Sequence, residues 1–232
     1  MFNELLWFGF AFINFIMVLL FYKLFGKNGL IVWIGFSTVI ANLQVIKTIE
    51  LFGLTATMGN IMYGTAFFVT DVINEKYGEK EAKKAVWLGF ATLLSMTFIM
   101  QAVLLFEPHE IDFAQESLAT IFGLLPRIAL GSLLAYIISQ YIDVKIYSSL
   151  RDKFPNQLWI RNNGSTMLSQ FLDTLVFTSI AFLGVYPFSE WIQIFITTYL
   201  IKFLVALLDT PFAYMVKRMN VKETLVSKNN LF

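Results

Sequence analysis

Seven apolar runs, most of them close to twenty residues long, divide this chain. They are Leu5–Tyr22, Leu30–Ile46, Leu51–Thr70, Ala85–Phe106, Leu118–Ile142, Gly164–Val185 and Trp191–Leu208. A helix needs about 20 residues to cross roughly 30 Å of hydrocarbon, and in lipid its backbone polar groups must be satisfied internally. Only 14% of the residues are charged, where a soluble domain carries about 25%. The sequence therefore predicts an all-α, polytopic membrane bundle of six to seven helices, about seven, forming one transmembrane domain over residues 1–232. The first run lacks a basic leader and a small-residue cleavage site, so it is expected to stay as a helix.

Charge placement favours seven crossings over six. Cytoplasmic loops retain lysine and arginine. With seven spans and an outside N-terminus, fourteen of the seventeen basic residues fall inside, among them Lys23, Lys27, Lys76, Lys80, Lys145, Arg151, Arg161 and Lys217. The outer loops are acidic, carrying Glu107, Glu110, Asp112, Glu116 and Glu190. A six-span chain, with Leu51–Thr70 merged or re-entrant, would put Lys23 and Lys27 outside. A weak echo also recurs at inner boundaries, as Asp71–Tyr77–Lys80, Asp143–Tyr147–Arg151 and Asp209–Tyr214–Lys217. It fits either a repeated transport unit or the ordinary residue preference of a membrane interface.

Several function classes drop out. No cysteine is present, and the single His109 lies in an acidic loop, so no metal site is expected. There is no phosphate-cradling glycine loop and no nucleophile with a base at motif spacing. The chain reads as a non-enzyme without a cofactor, and no basic groove suggests nucleic acid.

The remaining chemistry lies in polar groups at membrane depth, which are costly unless used. Thr57–Lys84 begins apolar, is punctuated by Gly59, Asn60 and Gly64, and turns abruptly charged from Asp71 onward. Breaking the third span at its glycines would free backbone groups near Asn60, Tyr63 and Asp71 for a solute. Asp71, Asn74 and Glu75 at the boundary suit an inner gate. Thr166, Ser169, Gln170 and Asp173 are spaced to share one helix face. Asp173 can be one wall of a site, an internal counter-ion to Arg127 or Lys202, or both. Lys202 is near mid-span; Arg127 follows Pro126 toward the outer end and could snorkel. Lys47 and Glu50, three apart, are expected to pair along one helix face. Tyr63 or Phe67 could stack on a planar ring.

Three stretches carry a resemblance. LFGLTATMGNIMYGTAFFVTDVINEKYGEKEAKKAVWLGF, LWIRNNGSTMLSQFLDTLVFTSIAF and KFLVALLDTPFAY resemble the signatures of the queuosine precursor transporters, also called the vitamin uptake transporter family. Together they extend over most of Leu51–Tyr214. Gly64 departs from the pattern, since many members are expected to carry proline there. The resemblance implies import of 7-deazaguanine bases for tRNA modification, across the cytoplasmic membrane, by a lipid-embedded monomer or homodimer. Its substrate-binding candidates are Asn60, Tyr63, Asp71, Arg127, Ser169, Gln170, Asp173 and Lys202. The alternative is a substrate-binding subunit that needs a separate ATP-driven module. Such subunits usually show an Ala-x-x-x-Ala face on the first span, and FGFAFINFIMVLLFY lacks one.

Overall fold

A computed structural model describes the backbone of residues 2–153 and 158–219. Side chains are described along these stretches except at most positions from 140 to 166 and at 206, 207, 210, 213 and 217. Thr166 and Lys217, and Asp143, Tyr147 and Arg151 of the echo, thus lie outside the described side chains. The elements run α1 (Phe2–Gln44), β1 (Thr48–Leu51), β2 (Leu54–Thr57), α2 (Asn60–Tyr77), α3 (Glu79–Val103), α4 (Gln115–Gly123), α5 (Leu125–Lys153), α6 (Leu158–Phe182) and α7 (Phe188–Arg218). Among the described residues, four stretches are long and apolar enough to cross a membrane: α1, α3, Gln115–Ser139 through α4 and α5, and Phe188–Val205 of α7. The all-α membrane bundle is the observed fold class.

The chain divides into two compact units. The first takes residues up to 45, residues 58–95 and those from 203 onward. Its first element, α1, has 43 residues, about 65 Å at 1.5 Å per residue and twice what a bilayer needs. Gly26 interrupts it with φ 58° and ψ −140°, a conformation open to glycine. Phe21 and Trp33 then meet at 5.2 Å between ring centroids. Residues twelve apart could not touch on a straight helix, so α1 is a helical hairpin folded back at Gly26. One element supplies the first two apolar runs.

The hairpin packs on α2 through Phe15 and Phe68 and through a bond from Trp33 Nε1 to Thr65 Oγ1 at 3.2 Å. Phe212 of α7 stacks on Phe15, and α3 lies against α1 where Gly89 meets Ile34 and Thr38. At one end of this unit Lys27 pairs with Glu81 at 2.8 Å, and Lys76 lies over the Tyr22 ring. The turn at Gly26 and the α2–α3 turn therefore share a side, as their lysines suggest.

Three expectations for this region need correction. Leu51–Thr70 is not one span. Thr48–Leu51 and Leu54–Thr57 pair as an antiparallel hairpin, Leu51 opposite Leu54, and helix resumes only at Asn60. Phe52 and Gly53 both have positive φ, the turn that matches strand twist. Lys47 and Glu50 consequently share no helix face, because Glu50 is on β1 and Lys47 precedes it. Nor does Gly64 break α2, which is helical throughout. A Cβ there would sit 2.1 Å from Val205 Cγ1, so Gly64 serves close approach to α7.

The second unit takes residues 46–57 and 96–202. Its β-hairpin is tied to α7: Gln193 Oε1 accepts from Thr55 N, Glu190 accepts from Thr55 Oγ1, and Thr197 Oγ1 donates to Thr55 O. Asp112 Oδ1 caps α4 by accepting from the Ala114 and Gln115 amides. Gln101 of α3 donates to Phe122 O at the other end of α4. α5 and α6 pack closely where Gly131 meets Ile180 and Phe177. α6 and α7 are joined by a turn in which Gly184 has φ 83°. The seventh apolar run ends at Leu208, but α7 continues past it, through Pro211, to Arg218.

Candidate functional site

In the second unit, α6 presents Ser169, Gln170 and Asp173 along one side, and α5 and α7 complete their surroundings. Asp173 is 6% exposed. The Lys202 ammonium of α7 donates to Asp173 Oδ2, making a buried ion pair. Ser139 Oγ of α5 lies 3.1 Å from Tyr136 O and 3.4 Å from Asp173 Oδ1, so its single proton is shared between them. A carboxylate offers about four acceptor positions and an ammonium three donors. The pair thus leaves Asp173 room to accept from an incoming group.

Lys202 starts from a Cα well below Asp173 in the hairpin of α6 and α7. Helical side chains lean toward the N-terminus of their own helix. On α7 that direction carries the lysine stem up toward Asp173. Desolvating two charges costs several kcal/mol per ion, and the attraction between them only partly offsets it. A pair of this kind is weak evidence for a purely stabilising role.

Arg127 is engaged elsewhere. Its guanidinium donates to the carbonyls of Ile180 and Leu183, at the C-terminal end of α6. Helix C-termini leave carbonyls without an intrahelical partner, and a cation there is favourable. Of the two cations considered for Asp173, the structure therefore selects Lys202.

The other three candidates lie on α2, in the first unit. Asn60 is buried at its first turn, beside Gly59, where a Cβ would come within 2.5 Å of Ala41 O. Tyr63 is half-buried, its ring 5.9 Å from that of Phe67. Asp71 is exposed and close enough to Asp209 of α7 for the carboxylates to repel. The candidates thus form two groups, Ser169, Gln170, Asp173 and Lys202 together in one unit, and Asn60, Tyr63 and Asp71 along one helix of the other.

The aromatic contacts between α6 and α7 were not anticipated. Phe171 meets Phe195 and Tyr199 edge-on at 5.4 and 5.8 Å. The positions of these rings were readable, but Phe is so frequent here that the signal did not stand out. No group of three or more metal-ligating side chains occurs among the described residues. His109 lines a cleft of about 540 Å³ with Phe106, Glu107 and Asp112, and no candidate residue is among its lining.

The family described as "Putative vitamin uptake transporter" matches residues 57–216. A Bacillus subtilis protein named "Probable queuosine precursor transporter" is 65% identical over 221 residues, covering 94% of this chain and 96% of its own. A Haemophilus influenzae protein of the same name is 28% identical, over 68% of this chain and 66% of its own. The Escherichia coli "Queuosine precursor transporter" is 23% identical, over 72% of this chain and 75% of its own. No solved structure matches.

Proposed function

Since this chain belongs to the queuosine precursor transporter family, also known as the vitamin uptake transporters, we propose that it imports 7-deazaguanine bases across the cytoplasmic membrane, using the Asp173–Lys202 pair as the core of its substrate site. The observation that carries this reading is a buried carboxylate bonded from two neighbouring helices with acceptor capacity remaining. The guanine-like edge of such a base offers a ring N–H and an exocyclic amine side by side. Asp173 can accept both, while Lys202 turns to the adjacent ring carbonyl. An adenine-type edge has a bare ring nitrogen at that point, which would face the carboxylate lone pairs. A site built on such polar pairs strongly rejects analogues that leave them unmatched.

Lys202 donates to the carboxylate before the base arrives. Ser139 fixes one oxygen, and Ser169 lies one turn from Asp173 on the same helix. Within the other unit, Asn60 and Tyr63 of α2 offer polar groups to a solute and Asp71 stands near the helix end as a gate; Arg127 positions the end of α6. The chain forms seven crossings with its N-terminus outside and acts as one transport domain. The lysine-rich turns sharing a side of the first unit support that orientation.

Titration of the purified protein with the nitrile-bearing 7-deazaguanine, its aminomethyl counterpart, guanine and adenine tests this reading. The two deazaguanines are expected to bind, with adenine at least about tenfold weaker. Equal affinity for adenine, or no binding of either deazaguanine, contradicts it.

A further inference from the structure

Helical threonines in this protein turn their hydroxyls back on the helix. Thr38, Thr70, Thr92, Thr174 and Thr178 each donate to the carbonyl four residues earlier, at 2.7–2.8 Å. Thr198 does not. It is 2% exposed, and its Oγ1 is sealed from solvent without a hydrogen-bond partner among the described residues. Gln170 Oε1 is in the same position. Burying a polar atom without a partner is unfavourable, and a specific orphan in a native structure calls for an explanation.

The two orphans are neighbours of the ion pair on both helices. Gln170 is three residues before Asp173 on α6, and Thr198 is four before Lys202 on α7, spacings that place each beside its charged neighbour. Contacts across the α6–α7 hairpin fix the register. Trp191 Nε1 donates to Thr178 O, Phe171 meets both Phe195 and Tyr199, and Tyr199 OH lies 3.4 Å from Met167 O. That register sets Gln170 and Thr198 at the same level, the one that the Lys202 stem passes on its way to Asp173.

We infer that Thr198 and Gln170 are specificity-determining groups, held open in the empty protein for the polar edge of a planar base. The inference rests on the substrate class proposed above. Thr198, with a proton and no backbone carbonyl receiving it, donates to an acceptor on the ring. Gln170 Oε1 accepts from the exocyclic amine. Lys202 and Asp173 then fix the charge of the site, and the two neutral groups decide which bases satisfy it.

An orphaned hydroxyl has an unusual signature. Thr198→Val keeps the shape and removes a group that is unsatisfied without ligand, so the empty variant should melt at the wild-type temperature or above it. Its affinity for 7-deazaguanine, read by titration, should fall at least about tenfold. Gln170→Leu should prefer 7-deazaguanine over 7-deazahypoxanthine, which lacks the exocyclic amine, by a clearly smaller factor than the wild type does, since Asp173 still accepts one of the amine protons. A lower melting temperature for Thr198→Val would mean the hydroxyl is bonded in the empty protein and overturns the inference. So would unchanged affinity in Thr198→Val, or wild-type discrimination in Gln170→Leu; in each case the transport reading stands. If the wild type binds neither base, the transport reading fails and takes this inference with it.

Discussion

Replacing Asp173 with asparagine separates a binding role from a structural one. The substitution keeps the side-chain shape and removes the charge, leaving the Lys202 ammonium without its carboxylate. The two side chains are 9% and 11% exposed, so water screens little of the loss. Breaking a buried pair by removing one partner costs about 3–5 kcal/mol of stability. If the carboxylate also accepts hydrogen bonds from the base, binding loses about 2–5 kcal/mol as well. At roughly 1.4 kcal/mol per tenfold, Asp173→Asn should weaken binding by at least about tenfold, since the amide keeps part of the bonding. Adding Lys202→Met removes the stranded cation. The double variant should recover much of the melting temperature and none of the affinity. Melting curves and titrations of wild type, single and double variants make the assay. A depressed midpoint in the single variant, recovery in the double, and wild-type affinity in both would refute the binding role and leave Asp173 a counter-ion.

Gly64→Ala places a methyl against Val205 Cγ1 and should cost about 1–3 kcal/mol, seen as a lower melting temperature that Val205→Ala restores. Arg127→Met removes two charged hydrogen bonds to α6 carbonyls. It should lower the melting temperature markedly while weakening binding less than Asp173→Asn does. Asp71→Asn at the end of α2 should slow uptake with little change in affinity, and an equal fall in both would move Asp71 into the binding site. Because the chain has no cysteine, single cysteines at Gln115 and Lys80 report topology. An impermeant maleimide should label the first and not the second in whole cells.

The apolar runs made most helices legible, since length and hydropathy alone decide what can cross lipid. They misled where an apolar stretch changes structure without changing composition. Leu51, Phe52 and Leu54 continue smoothly into the run that becomes α2, so the hairpin was absorbed into a span. Its signal was the short alternation around Phe52-Gly53, too brief to outweigh the run. Pro211 lacks an amide proton, yet α7 runs through it, because membrane helices tolerate such a break when neighbours satisfy the freed carbonyl. In the site, the spacing of Ser169, Gln170 and Asp173 was readable from helix geometry. The choice between Arg127 and Lys202 was not, because it depends on the register between helices. The partners of Arg127 are carbonyl oxygens, which have no letter in a sequence. Thr198 was invisible for a related reason, since what marks it is a bond it does not make.

On this proposal the chain moves a 7-deazaguanine base without any coupling module. Purified protein in liposomes, preloaded with unlabelled nitrile-bearing base and given the labelled base outside, tests it most directly. Rapid counterflow of label is predicted, abolished by Asp173→Asn and unaffected by an excess of adenine. Binding of the base in detergent with no counterflow in liposomes would contradict it and point to a subunit that needs a coupling module.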